Sequence, residues 1–451
     1  MAAPPDAART DGARVSLAWT GRGGPLIFHG LTDPARVHRL AVPVVVWRRA
    51  VVSWRPPPGS APPRFMDVSS ANALAPIPFQ GSPEPTLGVE VELQIVDPAT
   101  FNLKQGSVAL LDRVGRDHPK IKQELTQSTV EVITGICADV GHCVRDLSAS
   151  VRELYAHSAE LGLAFSSAGT HPFGQWRDQK IFPNDRYQGL VDRIQWPARR
   201  LLIYGLHVHV GVSSGEKAIA VSNALASYLP HLLALSASSP FTDFEDTGLA
   251  SARSKIFEGM PTAGLPYRLA NYGEFQSFMN TLVRAGAIQT IREIWWDIRP
   301  HPNFGTLEVR ICDSPSTMEE LAALVALTQC LVVALGERYD TGAPLGLLKP
   351  WILRENKWRA CRHGLDADVI RDNEGDHAPL REQLPDLVAK LEPVADRLGC
   401  LAELRGVHRT LEAGASYERQ RRTYAATQRL PAVVASLVDG LRESVEAAAP
   451  A

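Results

Sequence analysis

Three short runs in this chain each place ionisable side chains two residues apart inside an apolar, alternating stretch. They are Glu90-Val-Glu92 in GVEVELQIVD, His207-Val-His209 in GLHVHVGV and Glu308-Val-Arg310 in GTLEVRICD. In an extended strand residues i and i+2 face the same way, so each run shows charge or imidazole on one side and branched aliphatics on the other. A solvated strand face accounts for any one of them. Three together suggest strands of one sheet lining a polar pocket, with carboxylates and imidazole suited to divalent cations and a guanidinium suited to phosphate.

A chain of 451 residues can bury a large core and would ordinarily make two or three domains, although one elaborated sheet domain is an alternative. The formal net charge of -2 offers no whole-chain attraction to nucleic acid or an anionic membrane. The six cysteines form no CxxC and no zinc-ribbon spacing, which points to reduced thiols in a cytoplasmic protein. No stretch is read as approaching the roughly 20 apolar residues of a membrane span, so a soluble chain is expected.

Residues 1–85 differ from the rest. The first 65 hold nine Arg and no Lys, with prolines at 56–58 and 62–63 that would interrupt regular structure. This segment is expected to be a disordered arm, a small accessory element or the product of a misassigned start, with Met66 as the alternative. A catalytic domain is expected over 86–451. There, strands are expected at 89–96, 125–133, 163–168, 201–212 and 307–312. Helices are expected at 145–161, from 216 towards 229, and at 316–335, followed by a mainly helical C-terminal part. Strands and helices alternate irregularly, which argues for an α+β fold with an antiparallel sheet rather than a βαβ repeat.

Each polar constellation has a plain alternative. Glu90 and Glu92 would repel one another unless a cation or a basic side chain sits between them; otherwise they mark an exposed strand edge. Glu131, between Val130 and Val132, is either on the polar face of a half-buried strand or a ligand, and Glu124 alone reads as a surface residue. The HxH of His207 and His209 suits zinc, but no second imidazole or thiolate pair accompanies it, so magnesium with carboxylates and one histidine fits the inventory better. Glu308 and Arg310 could be a simple intrastrand pair. No GxxxxGK[ST] or GxGxxG motif is present, so any ATP must be held by metals and arginines.

In order along the chain, GVEVELQIVD, ELTQSTVEVITGIC, GLHVHVGV, DTGLASARSKIFEGMP, WWDIRPHPNFGTLEVRICD and ENKWRACRHGLDADVI resemble the carboxylate–amine ligase family, and within it the bacterial type 2 glutamate–cysteine ligase group. The resemblance implies a glutamine-synthetase-like active site on the concave face of a curved antiparallel sheet, with helices on the other side, holding ATP and Mg2+. It implies Glu90, Glu92, Glu124, Glu131, His207 and Glu308 as metal ligands. Arg310 would steady the transferred phosphoryl group, and His209 would lie near the phosphates. The implied reaction forms an amide through an acyl phosphate from glutamate and cysteine, acting on small molecules without nucleic acid or membrane, in a chain that could be a homo-oligomer. Alternatives are the same chemistry on another carboxylate and amine, a metal-dependent hydrolase using the His207/His209 face, or a non-catalytic ATP-binding protein. The loops at 254–264 and 171–176 are expected to keep water from the intermediate.

Overall fold

The structure is a computed structural model that describes residues 76–448. Residues 1–75, with the alternative start at Met66, lie outside the described residues.

The alternating runs pair into one sheet. Its strands are β1 (Leu87–Val96), β2 (Ile121–Gln123), β3 (Thr129–Ile133), β4 (Ala164–Ser166) and β5 (Gly205–Gly211). A separate hairpin, β6 (Phe241–Thr242) and β7 (Glu245–Asp246), precedes the last two sheet strands, β8 (Ile298–His301) and β9 (Thr306–Asp313). The order is β2-β3-β1-β5-β9-β8, with β4 pairing the far end of β1, and every pairing is antiparallel. The sheet stays open, with β2 and β8 as its end strands.

Alternation fixes which face is the core. Val89, Val91, Leu93, Val208, Leu307, Val309 and Ile311 are buried in the main hydrophobic cluster. The same cluster contains Leu147 and Val151 of the helix Val140–Leu161, Leu232 of Leu229–Ser236, and Leu324 and Leu331 of Met318–Asp340. Helices therefore cover the apolar face of the sheet, as an amphipathic two-layer fold requires.

Local chemistry sets the element ends. Asp139 caps Val140–Leu161 by accepting from the His142 amide, and Gly162 closes that helix in the left-handed region at φ 60. Ser214 caps Gly215–Leu225, and Thr317 caps Met318–Asp340, whose first turn carries Glu319 and Glu320 where the helix dipole favours them. The strand expected at 125–133 begins only at Thr129. Residues 126–128 form a turn in which the Thr126 and Thr129 hydroxyls lie 2.7 Å apart and the Thr129 amide donates to the Thr126 carbonyl.

One expectation is corrected outright. Two helical stretches, Gly215–Ser236 and Met318–Asp340, are long and apolar enough to match a membrane span, yet 78% of each apolar window is buried inside the fold. Their hydrophobicity on all sides reflects a position between the sheet and the C-terminal helices.

Residues 77–82 run against this domain. The Ile77 carbonyl accepts from Tyr272 Oη at 2.9 Å, the Gln80 amide donates to the Pro302 carbonyl at 2.8 Å, and the Ser82 amide donates to the Val212 carbonyl at 3.0 Å.

Candidate active site

Strand register carries the polar side chains into one row. Glu92 stands opposite Glu131, Glu90 opposite His207, His209 opposite Glu308, and Glu308 opposite Arg299. Cross-strand partners on one face lie close enough to interact directly. The period-two pattern of three separate runs is thereby converted into a band crossing β3, β1, β5, β9 and β8.

The contacts within the band are short. His207 Nδ1 lies 3.1 Å from Glu90 Oε2, and His209 Nε2 lies 3.6 Å from Glu90 Oε1 and 3.9 Å from Glu308 Oε1. Thr306 Oγ1, 3.0 Å from His209 Nδ1, orients the second imidazole. Glu92 accepts from the Gly205 amide at 2.7 Å, and Glu124 turns back to accept from the Leu125 amide at 2.6 Å. Glu124 directly follows β2, whose pairing with β3 sets Lys122 opposite Glu131 and so carries Glu124 to the same end of the sheet.

Three groups of ligand atoms lie within 4.8 Å of one another: Glu90/Glu131/His207, Glu90/His209/Glu308 and Glu92/Glu124/Glu131. All six expected metal ligands, and His209, fall in at least one of them. Oxygen donors in excess, with one imidazole in two of the groups and none in the third, are the donor set of a hard divalent ion, so the side chains present fit magnesium.

Electrostatics divides the carboxylates in two. Burial would raise Glu90, but hydrogen bonds from His207 and His209 outweigh it and hold the carboxyl well below the usual range. Burial would likewise raise Glu308, but the guanidinium groups of Arg299 and Arg310 pull it down. Glu92 has no such balance: burial, then repulsion from Glu124, push it up to about 8. Burial raises Glu124, and burial with repulsion from Glu90 raises Glu131 well above the ordinary value. His207 is pushed down to about 4, by burial first and then by Arg310, so its imidazole is neutral near pH 7 and available as a ligand. Burial first, and crowding among carboxyls second, raise Glu92, Glu124 and Glu131, and a bound cation would act in the opposite direction on all three.

Arg299 joins the site without having been singled out from sequence. Its Nε donates to Glu308 Oε2 at 2.7 Å, and Arg310 grips the other oxygen of the same carboxylate. The signal was present: Asp297, Arg299 and His301 repeat the i, i+2 pattern of the other runs. Pro300 masks it, because proline argues against a strand in the middle of a sheet. β8 is an end strand, where proline is tolerated.

A cavity of about 350 Å³ opens beside the band and is lined by Glu92, Glu124, Tyr187, Arg253, Trp295 and Arg310, among others. Arg253 reaches it by lying across Gly205: a Cβ there would stand 2.2 Å from Arg253 Nη2. The expected covering loops are only partly found here. Phe257 from the 254–264 segment lines the cavity, whereas residues 171–176 do not. Residues 171–174 are buried elsewhere, with His171 Nδ1 accepting from the Gly174 amide at 2.8 Å. The helix Asp185–Ile194 supplies that wall instead.

The model of glutamate–cysteine ligase family 2 matches residues 86–438, from the start of β1 through every residue of the band. The chain belongs to glutamate–cysteine ligase family 2. Among its relatives, a candidate glutamate–cysteine ligase 2-1 of Frankia alni is 48% identical over 379 residues, covering 83% of this chain and 98% of its own. A candidate glutamate–cysteine ligase 2 of Gloeobacter violaceus is 48% identical over 369 residues, covering 81% of this chain and 99% of its own. In three dimensions the fold is similar to a glutamate–cysteine ligase of Francisella tularensis crystallised with AMP (TM-score 0.57, 14% identity, 82% of this chain and 94% of that one). It is also similar to a bifunctional glutathione synthetase of Pasteurella multocida (TM-score 0.55, 14% identity, 81% of this chain and 52% of that one). A family 2 ligase and its fold neighbours thus share the mixed architecture of helices on an open antiparallel sheet at an identity too low to fix individual side chains.

Proposed function

We propose that the chain is an ATP- and magnesium-dependent carboxylate–amine ligase that joins the γ-carboxylate of glutamate to an amine, with cysteine as the acceptor. The observation that carries this reading is the band itself: five strands deliver six metal-capable side chains and two arginines to one face, and Glu124, just after β2, adds a seventh, beside a cavity of substrate size.

In this reading magnesium would be held within three overlapping groups, Glu92/Glu124/Glu131, Glu90/Glu131/His207 and Glu90/His209/Glu308, which share Glu90 and Glu131. Magnesium there would neutralise phosphate oxygens and align ATP with the substrate. The remaining work belongs to the chain. Two anions must approach, so catalysis consists mainly of positioning and neutralisation. Arg310, pinned by Glu308 and facing the cavity, meets the charge that develops on the transferred γ-phosphoryl group. The carboxylate oxygen attacks phosphorus and ADP departs. The amine then attacks the acyl phosphate, loses a proton and expels inorganic phosphate, leaving the amide. Phe257, Trp295 and Tyr187 give the cavity apolar walls that limit hydrolysis of the intermediate.

The test is phosphate release from ATP and magnesium with glutamate across a panel of amines that begins with cysteine. Release that requires both glutamate and one amine, with the amide found by mass, is the expected result. ATP binding without release under any pairing would overturn the proposal.

A further inference from the structure

Four guanidinium groups line the cavity beside the band, and their acceptors can be counted. Arg310 is held by Glu308, and Arg193 by Glu293 at 2.8 Å. Arg253 is 3% exposed and places Nη1 and Nη2 on the carbonyls of Ile311 and Arg310, 3.2 Å each, while its buried Nε has no acceptor. Arg186 has no hydrogen-bond acceptor for its guanidinium among the described residues. Its charge lies 5.9 Å from the Tyr187 ring and acts on Glu124 through space alone. Its neighbour Asp185 likewise has no cation bonded to its carboxylate among the described residues. The cavity therefore offers an anion the buried Arg253 Nε and the solvent-facing Arg186, and offers a cation, one residue away, the solvent-facing Asp185, demands that water otherwise meets at the two exposed groups.

Position orders these demands. Asp185 and Arg186 are exposed, whereas Glu92 and Glu124 are half-buried, so the first pair stands at the mouth and the second at the floor. A substrate whose reacting carboxylate is turned to the floor presents its other end to the mouth. For an α-amino acid that end is an ammonium and a carboxylate on one carbon, which an acidic and a basic side chain at the same mouth complement in charge.

We infer that Arg186 and Asp185 recognise the α-carboxylate and α-ammonium of the amino acid whose side-chain carboxylate is activated. This rests on the ligase reading above and adds the residues that select the substrate. Arg186 and Asp185 are specificity determinants; the activated carboxylate is handled at the floor.

Three substrates separate the two contacts. Glutamate carries both groups, 4-aminobutyrate lacks the α-carboxylate and glutarate lacks the ammonium. Each is assayed as a substrate or, where it is not turned over, as a competitive inhibitor of glutamate. Arg186→Gln is expected to lower kcat/KM or affinity for glutamate and glutarate about 10- to 100-fold, the range of one charge-assisted hydrogen bond, and to leave 4-aminobutyrate within about twofold. Asp185→Asn is expected to weaken glutamate and 4-aminobutyrate and to spare glutarate. KM for ATP should hold in both. If each variant weakens all three compounds alike, or none, the inference is overturned while the ligase reading stands. If the wild-type protein releases no phosphate that depends on glutamate, the ligase reading is overturned and this inference with it.

Discussion

Two glutamates of the band, Glu92 and Glu308, differ in what surrounds them, and their replacement should differ accordingly. Sequence alone suggests that alanine at either position removes a ligand and leaves the fold intact. For Glu308 the structure says otherwise. Its carboxylate is 1% exposed and neutralises Arg299 and Arg310, themselves 7% and 11% exposed. Glu308→Ala leaves two largely buried guanidinium groups without their carboxylate, Arg299 keeping only backbone carbonyls, and should cost about 3–5 kcal/mol in denaturant unfolding as well as abolishing turnover. Glu92 is the opposite case. With its carboxyl raised to about 8, it is mostly neutral near pH 7 in the metal-free protein. Glutamine copies that neutral form. Glu92→Gln should therefore unfold at the same temperature as the metal-free wild type or higher, yet lose the stabilisation that magnesium confers. A fall in metal-free stability comparable to that of Glu308→Ala would contradict this assignment.

At the level of elements, what could be read from sequence was whatever alternation encodes. Val89, Val91, Val309 and Ile311 fall in the core, and Glu90, Glu92, Glu308 and Arg310 on the polar face, because period two leaves a strand no other choice once one face is buried. Glu124 was legible only through family resemblance, since it follows β2, a strand of three residues that is too short to show an alternating pattern. Arg299 was hidden by Pro300, and the role of the helix Asp185–Ile194 by distance along the chain: no local pattern says which helix will roof a cavity. Gly205 was equally silent, because its meaning is the space it leaves. Arg253 occupies that space, with its guanidinium also 3.9 Å from the fully buried Asp313. Gly205→Ala should force Arg253 aside at a cost of about 1–3 kcal/mol, as overpacking does elsewhere. It should also lower activity more than this loss of stability explains, because Arg253 lines the cavity. Unchanged melting and turnover in this variant would show that the close approach has slack.

For the molecule as a whole, the band makes stability a function of both pH and magnesium. Glu90 and Glu308 titrate below their unfolded values, so the stabilisation they contribute is present above the ordinary carboxylate range and is lost as pH falls through their folded pKa. Glu92, Glu124 and Glu131 titrate above theirs, so what they contribute is complete below the ordinary range and is lost as pH rises, through about 8 for Glu92. Without metal, the second group leaves the protein progressively less stable from mildly acidic to mildly alkaline solution, as three crowded carboxyls ionise against one another. Magnesium binds the ionised form and must displace those protons, so its affinity rises over the same interval. The gap in melting temperature with and without magnesium should consequently widen from about pH 5.5 to about pH 8.5, chiefly because the metal-free curve falls. Glu92→Gln removes one titrating member and should flatten the metal-free curve. A gap that stays constant with pH in the wild type would mean that the crowded carboxyls of β1 and β3 and Glu124 are not where the ion binds.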